Sequence, residues 1–168
     1  AWNYLTFQPY PLSSNTLATE SAAFMSLGTS TEGGPSSDPT FYLYCAWPGN
    51  TESGGNYQTY WTAPVVNADG TLISLRAGTF DHMYTRLKAQ RDRVCLVPIG
   101  HVLYQLAVMA TAGQLPGIAS IFDLYRDDIH QGDVGRFVAA VTLMTTIFQK
   151  RVWTSPRTRN NYRLGEGA

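Results

Sequence analysis

Three short, almost unbroken apolar runs narrow what this chain can fold into. They are Trp2-Asn3-Tyr4-Leu5-Thr6-Phe7, Phe41-Tyr42-Leu43-Tyr44-Cys45-Ala46-Trp47 and Val94-Cys95-Leu96-Val97-Pro98-Ile99. Aromatic and β-branched residues favour strands, and the prolines and glycines that follow (Pro9, Pro48-Gly49, Gly100) stop them. Helical spacing fills the intervals. Leu17, Ala18, Phe24, Met25 and Leu27 predict a helix over 16–27, capped around Ser14 to Thr16, and Gly28 to Pro39 ends it. Phe80, Met83, Tyr84 and Leu87 predict another helix within 79–93, and Val102 to Ala112 a third, interrupted at Gly113. Strands that are apolar throughout must be buried on both faces, so their alternation with helices predicts a parallel sheet covered on both sides. The class is α/β.

Two segments fall outside that rhythm. Segment 57–75, with Tyr60, Trp61 and the turn signal Asn67-Ala68-Asp69-Gly70, reads as an excursion or small hairpin outside the main sheet. After the connector Leu115 to Leu124, the residues Val134, Phe137, Val138, Val141, Met144 and Phe148 recur at steps of three and four. They predict a final amphipathic helix packing that face on the core.

The 168 residues and 44% hydrophobic content suit one domain with a real core, expected over 1–150, followed by a tail at 151–168. Twelve basic residues balance twelve acidic ones, which removes the electrostatic footprint of a nucleic-acid partner. Arg151, Arg157, Arg159 and Arg163 cluster, but Pro156, Gly165 and Gly167 break them up as in a solvated tail. No apolar run is long enough to span a bilayer, and Ala1-Trp2-Asn3-Tyr4 lacks the parts of a signal peptide, so no membrane role is expected. Cys45 and Cys95, each inside an apolar run, are expected as buried free thiols in neighbouring strands rather than as a disulfide or metal site. Low charge with many Tyr, Thr, Ser, Gly and Asn residues resembles exported proteins, so a secreted or periplasmic location is the compositional expectation.

The chemistry that stands out is Asp127-Asp128-Ile129-His130. A carboxylate three residues before an imidazole shares a face with it when the segment turns, and bonding one ring nitrogen leaves the other free as a base. Asp127 has that spacing; Asp128, two residues from His130, points elsewhere. The same residues also suit a polar loop ahead of a helix, with Asp133 placing negative charge at the helix start. A metal site from Asp127, Asp128, His130 and Asp133 lacks a second histidine or a cysteine pair at ligand spacing, so no metal and no cofactor are expected. His82, on a charged helix, reads as solvated. His101, after Gly100 at a strand-to-helix turn, stands where α/β folds often place substrate contacts.

The block from Asp127 through Gln131-Gly132-Asp133-Val134-Gly135-Arg136-Phe137-Val138-Ala139-Ala140 resembles the end of the SGNH (GDSL-like) hydrolases, where a loop carrying Asp-x-x-His precedes a last amphipathic helix. Tyr4-Leu5-Thr6-Phe7-Gln8-Pro9-Tyr10 is placed like that family's third strand and the loop after it, and Phe41 to Pro48 resembles the next strand of branches with a Trp-Pro near the site mouth. The resemblance implies a three-layer flavodoxin-like fold and hydrolysis of an ester, an acyl group on a carbohydrate among the options. It implies His130 as base, Asp127 as its orienter, Gln8 in place of the family's oxyanion asparagine, and Trp47 lining the pocket. Gln8 also suits a strand-end hydrogen bonder, and Trp47 a core residue. The chain departs from the family where a Gly-Asp-Ser-like turn should carry the nucleophile, since Ser13 and Ser14 lack that strand-to-turn context. The expectation is a partial domain whose first strands, one of them central, and whose serine come from an N-terminal segment or second polypeptide. The alternative is a non-catalytic structural or interaction protein on the same architecture.

Overall fold

A computed structural model describes residues 4–9, 22–23, 26, 39–66 and 72–148. The expected tail at 151–168, Ser13 and Ser14, the turn at 67–70 and most of the helix expected at 16–27 lie outside these residues. The elements in chain order are strand β1 (Tyr4–Phe7), strand β2 (Thr40–Tyr44), helix α1 (Tyr57–Trp61), strands β3 (Pro64–Val66) and β4 (Leu72–Leu75), and helix α2 (Arg76–Lys88). Strand β5 (Val94–Val97), helix α3 (Ile99–Thr111), a 3-10 turn (Ile121–Leu124) and helix α4 (Asp133–Phe148) complete them.

β1, β2 and β5 form a parallel sheet in that order, with Phe7 opposite Leu43 and Leu43 opposite Leu96. β3 and β4 pair antiparallel in a separate two-stranded sheet, the excursion expected between Tyr57 and Leu75. Period-two alternation divides the main sheet between two clusters. Phe41, Leu43 and Val94, flanked by Leu5 and Phe7, meet Met83 and Leu87 of α2. Tyr42 and Val97 turn the other way, toward Ile99, Leu103 and Ala107 of α3 and the inner side of α4. β2, central and buried on both faces, is the most apolar strand because it has no solvent side.

Two contacts fix the layer around the strand ends. Gly100, in the first turn of α3, donates its amide to the Cys45 carbonyl at 2.9 Å and accepts from the Tyr57 hydroxyl at 3.0 Å. A Cβ there would collide with the Ala46 carbonyl oxygen and the Trp61 ring, so only glycine lets α3 start this close to the end of β2. The 3-10 turn is closed reciprocally: Ser120 Oγ accepts the Phe122 amide, and the Asp123 carboxylate accepts the amides of Ala119 and Ser120.

Two expectations need correcting. Of the α4 stripe, only Val138 joins the core cluster, together with Ala139, Leu143 and Ile147. Val134, Phe137, Met144 and Phe148 are each about half exposed, at 54%, 50%, 49% and 56%. The helix has two apolar faces, and the regular three-four spacing picked out the outer one. The cysteines are both free, but Cys45 lies one residue beyond β2 and Cys95 is only partly buried. Burial pushes the Cys45 thiol far up in pKa, so it stays protonated. Among the described residues, no helix is long and apolar enough to cross a membrane.

Candidate active site

Asp127 builds the site from one side chain. Its Oδ1 accepts the backbone amides of Ile129 at 3.1 Å and His130 at 2.8 Å, an Asx-type turn that an aspartate makes with residues two and three ahead of it. The turn brings the His130 ring back onto the same carboxylate, with Nδ1 at 2.9 Å from Oδ1 and 3.0 Å from Oδ2. A carboxylate can only accept, so this contact assigns the proton to Nδ1 and leaves Nε2 as the basic nitrogen. Nε2 makes no hydrogen bond among the described residues.

The His130 amide, helped by that of Ile129 and by the imidazole, holds the Asp127 carboxyl well below the usual carboxylate range. Arg126 adds a looser contact, Nη2 to Oδ2 at 3.4 Å. The His130 side chain is 66% exposed and that of Asp127 44%, and an exposed pair of this kind contributes little to stability. What the pair fixes is the tautomer and direction of the imidazole.

The turn itself is anchored to the loop after β2. Trp47 Nε1 donates to the Ile129 carbonyl at 2.8 Å, and the Tyr125 hydroxyl donates to the Pro48 carbonyl at 2.9 Å. Asp128 points away from His130, as expected, and its Oδ1 accepts both the amide and the hydroxyl of Thr51 at 2.7 and 2.6 Å. Those bonds lower its carboxyl pKa, the Thr51 hydroxyl contributing most. The Asn50 amide reaches the Asp128 carbonyl at 2.7 Å. Behind the turn, Arg126 N donates to the His130 carbonyl at 2.8 Å, Gly132 N to that of Leu124 at 2.7 Å, and Tyr125 bridges to Gln131. Gly135 leaves no room for a Cβ against Gln131 and the Leu124 carbonyl, so α4 begins tight under the turn.

His130 lines a cleft of about 310 Å³ with Tyr44, Trp47, Arg126, Gln131, Arg136 and Ala139. Tyr44 is the last residue of β2, so the cleft opens at the carboxyl end of the sheet, where α/β folds bind ligands. Tyr44 and Trp47 rings meet at 6.2 Å and form an aromatic wall.

Of the expected site residues, Asp127, His130 and Trp47 come together. Gln8 is exposed just past the end of β1 and is not among the residues lining the cleft. His101 is elsewhere: its ring stands edge-on to Trp61 at 5.6 Å, with Nε2 at 3.6 Å from Asp81. His82 is exposed on α2. Tyr44, Arg126, Gln131 and Arg136 escaped the sequence reading because nothing in their spacing ties β2 to α4; only the fold does. Among the described residues, no three His, Cys, Asp or Glu side chains cluster as a metal site would need. No protein-family model, curated protein or solved structure matches the chain.

Proposed function

We propose that this chain carries the acid–base half of a serine ester hydrolase site. His130 is the general base, Asp127 holds its tautomer and stabilises the imidazolium that forms, and the nucleophilic serine arrives on a segment outside residues 1–168. The observation that supports this most is the Asp127 carboxylate spanning His130 Nδ1 while two backbone amides pin the same carboxylate. That arrangement spends three donors on aiming one imidazole in a cleft. The serine hydroxyl would give its proton to Nε2 as its oxygen attacks the acyl carbon, and the imidazolium would return a proton to the departing alcohol.

The parallel order β1-β2-β5 with the cleft at its carboxyl end is compatible with an SGNH-type three-layer architecture. The Tyr44 and Trp47 wall favours an acyl ester carried on a sugar ring, because ring faces stack on aromatic ones. Gln8, an amide donor past the end of β1, is the side chain offered to the oxyanion once the remaining part of the site is in place. The half-exposed apolar side of α4 favours the second reading, an interaction protein of the same architecture without catalysis.

A fluorophosphonate probe, which phosphonylates activated serines, separates the two. In the protein as its source makes it, with any associated polypeptide, a serine outside residues 1–168 is labelled, and His130→Ala abolishes the label. Labelling of a serine within residues 1–168, or labelling indifferent to His130→Ala, overturns the proposal. Complete absence of labelling favours the interaction protein.

A further inference from the structure

The cleft beside His130 carries a charge that the proposed chemistry does not use. Two arginines, Arg126 and Arg136, line it, and among the described residues no acidic side chain does. The chain as a whole is neutral, with twelve basic and twelve acidic residues, so this excess is local. A concave surface lined by one sign of charge concentrates the field and draws in the opposite ion.

Both guanidinium groups have donors to give. Arg126 touches the Asp127 carboxylate at 3.4 Å and Arg136 touches that of Asp133, each through Nη2. A guanidinium has five N–H donors in a planar fork, so each keeps an edge for a second acceptor. Both side chains are 59% exposed, and ion pairs in that setting are weak enough for a ligand carboxylate to compete. The two aspartates stay close by and offset part of the positive charge. That balance suits a ligand with a single negative charge better than a dianion.

Gln131 is a second, independent sign of a polar occupant. Only 3% exposed, it lines the same cleft, and neither its Oε1 nor its Nε2 makes a hydrogen bond among the described residues. The Tyr125 hydroxyl beside it gives its proton to the Pro48 carbonyl. Folded proteins rarely bury an unsatisfied amide, because its lost hydration is not replaced. No hydrogen bond holds this one, so turning it toward a ligand in the cleft breaks none.

From these groups we infer that Arg126, Arg136 and Gln131 form a binding subsite for a carboxylate borne on a sugar ring. The ring lies on the wall of Tyr44 and Trp47, its carboxylate takes two parallel N–H bonds from a guanidinium, and a ring hydroxyl meets Gln131. A volume of about 310 Å³ is at the lower end for ligand sites and holds one such ring rather than a chain of them. Sugar acids combine the three features the cleft asks for: a face that stacks, one carboxylate and several hydroxyls. That the same ring carries the ester attacked beside His130 rests on the hydrolase reading, whereas binding itself does not.

The test is an NMR titration of the ¹⁵N-labelled protein as its source makes it, with any associated polypeptide, read at the Trp47 indole N–H and the amides of residues 126–136. The ligands are methyl β-glucuronide, the neutral methyl β-glucoside, glucose 6-phosphate as a dianion and acetate as an anion without a ring. The glucuronide is expected to bind at least about tenfold more tightly than the other three. Replacing both arginines, Arg126→Gln with Arg136→Gln, brings the glucuronide down to the level of the glucoside and leaves the glucoside where it was. Arg136→Lys, which keeps the charge and loses the fork, gives an intermediate affinity. Gln131→Leu weakens glucuronide and glucoside alike, because both present hydroxyls. Should the double variant lose both sugars, Arg136→Gln alone, which disturbs only the contact with Asp133, makes the same comparison.

Equal affinity for glucuronide and glucoside overturns the inference, as does a glucuronide preference that survives the loss of both arginines. So does loss of both sugars from Arg136→Gln alone, tighter binding of the phosphate, or acetate binding as tightly as the glucuronide. Fluorophosphonate labelling needs no sugar acid and glucuronide binding needs no serine, so the subsite and the hydrolase proposal fail separately.

Discussion

Replacing Gly100 with alanine sets two effects against each other. In an open helix the change is favourable by up to about 1 kcal/mol, because glycine gives up more conformational freedom than alanine on folding. At Gly100 the new methyl collides with the Ala46 carbonyl oxygen and reaches the Trp61 ring at 2.5 Å, closer than real Cβ atoms come. The ring can rotate only against Tyr57 and Phe80, which it touches at 5.6 and 6.1 Å between centroids, and the carbonyl cannot rotate at all without moving the end of β2. Overpacking of this kind costs about 1–3 kcal/mol. Shifting α3 outward also strains the bonds from Gly100 N to Cys45 and from Tyr57 to the Gly100 carbonyl, each worth about 0.5–1.5 kcal/mol. The net expectation is a loss of about 2–4 kcal/mol, which in a protein of this size lowers the melting temperature by roughly 5–15 °C. Thermal unfolding followed by far-UV circular dichroism reads it directly. In a Trp61→Leu background the ring contact disappears but the carbonyl collision stays, so part of the loss should persist. An unchanged or higher melting temperature for Gly100→Ala would refute the packing argument.

The Asp127 carboxyl, depressed in the folded protein, contributes stability that is complete above the unfolded carboxyl range and is lost as pH falls through its own lower value. Carboxyl ¹³C shifts followed by NMR should therefore show Asp127 titrating below about 3.9, the ordinary aspartate value, and a midpoint at or above it would contradict the Asx-turn account. Trp47→Phe keeps the ring but leaves the Ile129 carbonyl without its donor, a cost of about 1–3 kcal/mol. Amide exchange at Arg126 and Gly132, which close the turn, should speed up, while that of the buried Leu103 stays unchanged. With an aromatic disulfide reagent under native conditions, Cys95 should react before Cys45, whose thiol is buried and protonated; the reverse order would count against the burial argument.

The sheet was legible because its strands are short and largely apolar, although β1 keeps Tyr4 and Thr6 exposed on one face, so the expected cover on both sides holds for β2 and not for β1. β2 is the clearest case: Phe41, Tyr42 and Leu43 have no polar alternation because both sides are covered. The Asp127 and His130 contact was legible for a local reason, since three residues is the reach of an Asx turn. What spacing cannot carry is direction. On α4, Val134, Phe137 and Met144 and the opposite pair Leu143 and Ile147 are both periodic, and only the position of α3 and β5 decides which set is buried. His101 shows the same limit. Its place after β5 is read from the sequence, but what its ring faces is set by Trp61, from a helix far back in the chain.

The fastening of the His130 turn to the loop after β2 bears on how such a site could be moved or inherited. Asp127 and His130 look like a self-contained cassette of four residues, but their aim is set by Trp47, Pro48, Asn50 and Thr51, about 80 positions earlier in the chain. Grafting residues 125–131 onto another scaffold would carry the chemistry without its bearing, and the imidazole would swing. The transplantable unit is the pair of strips, 47–51 with 125–131. Sequence drift in either strip is constrained by the other, so a change at Thr51, which touches neither cleft nor histidine, belongs among the first places to look for altered activity.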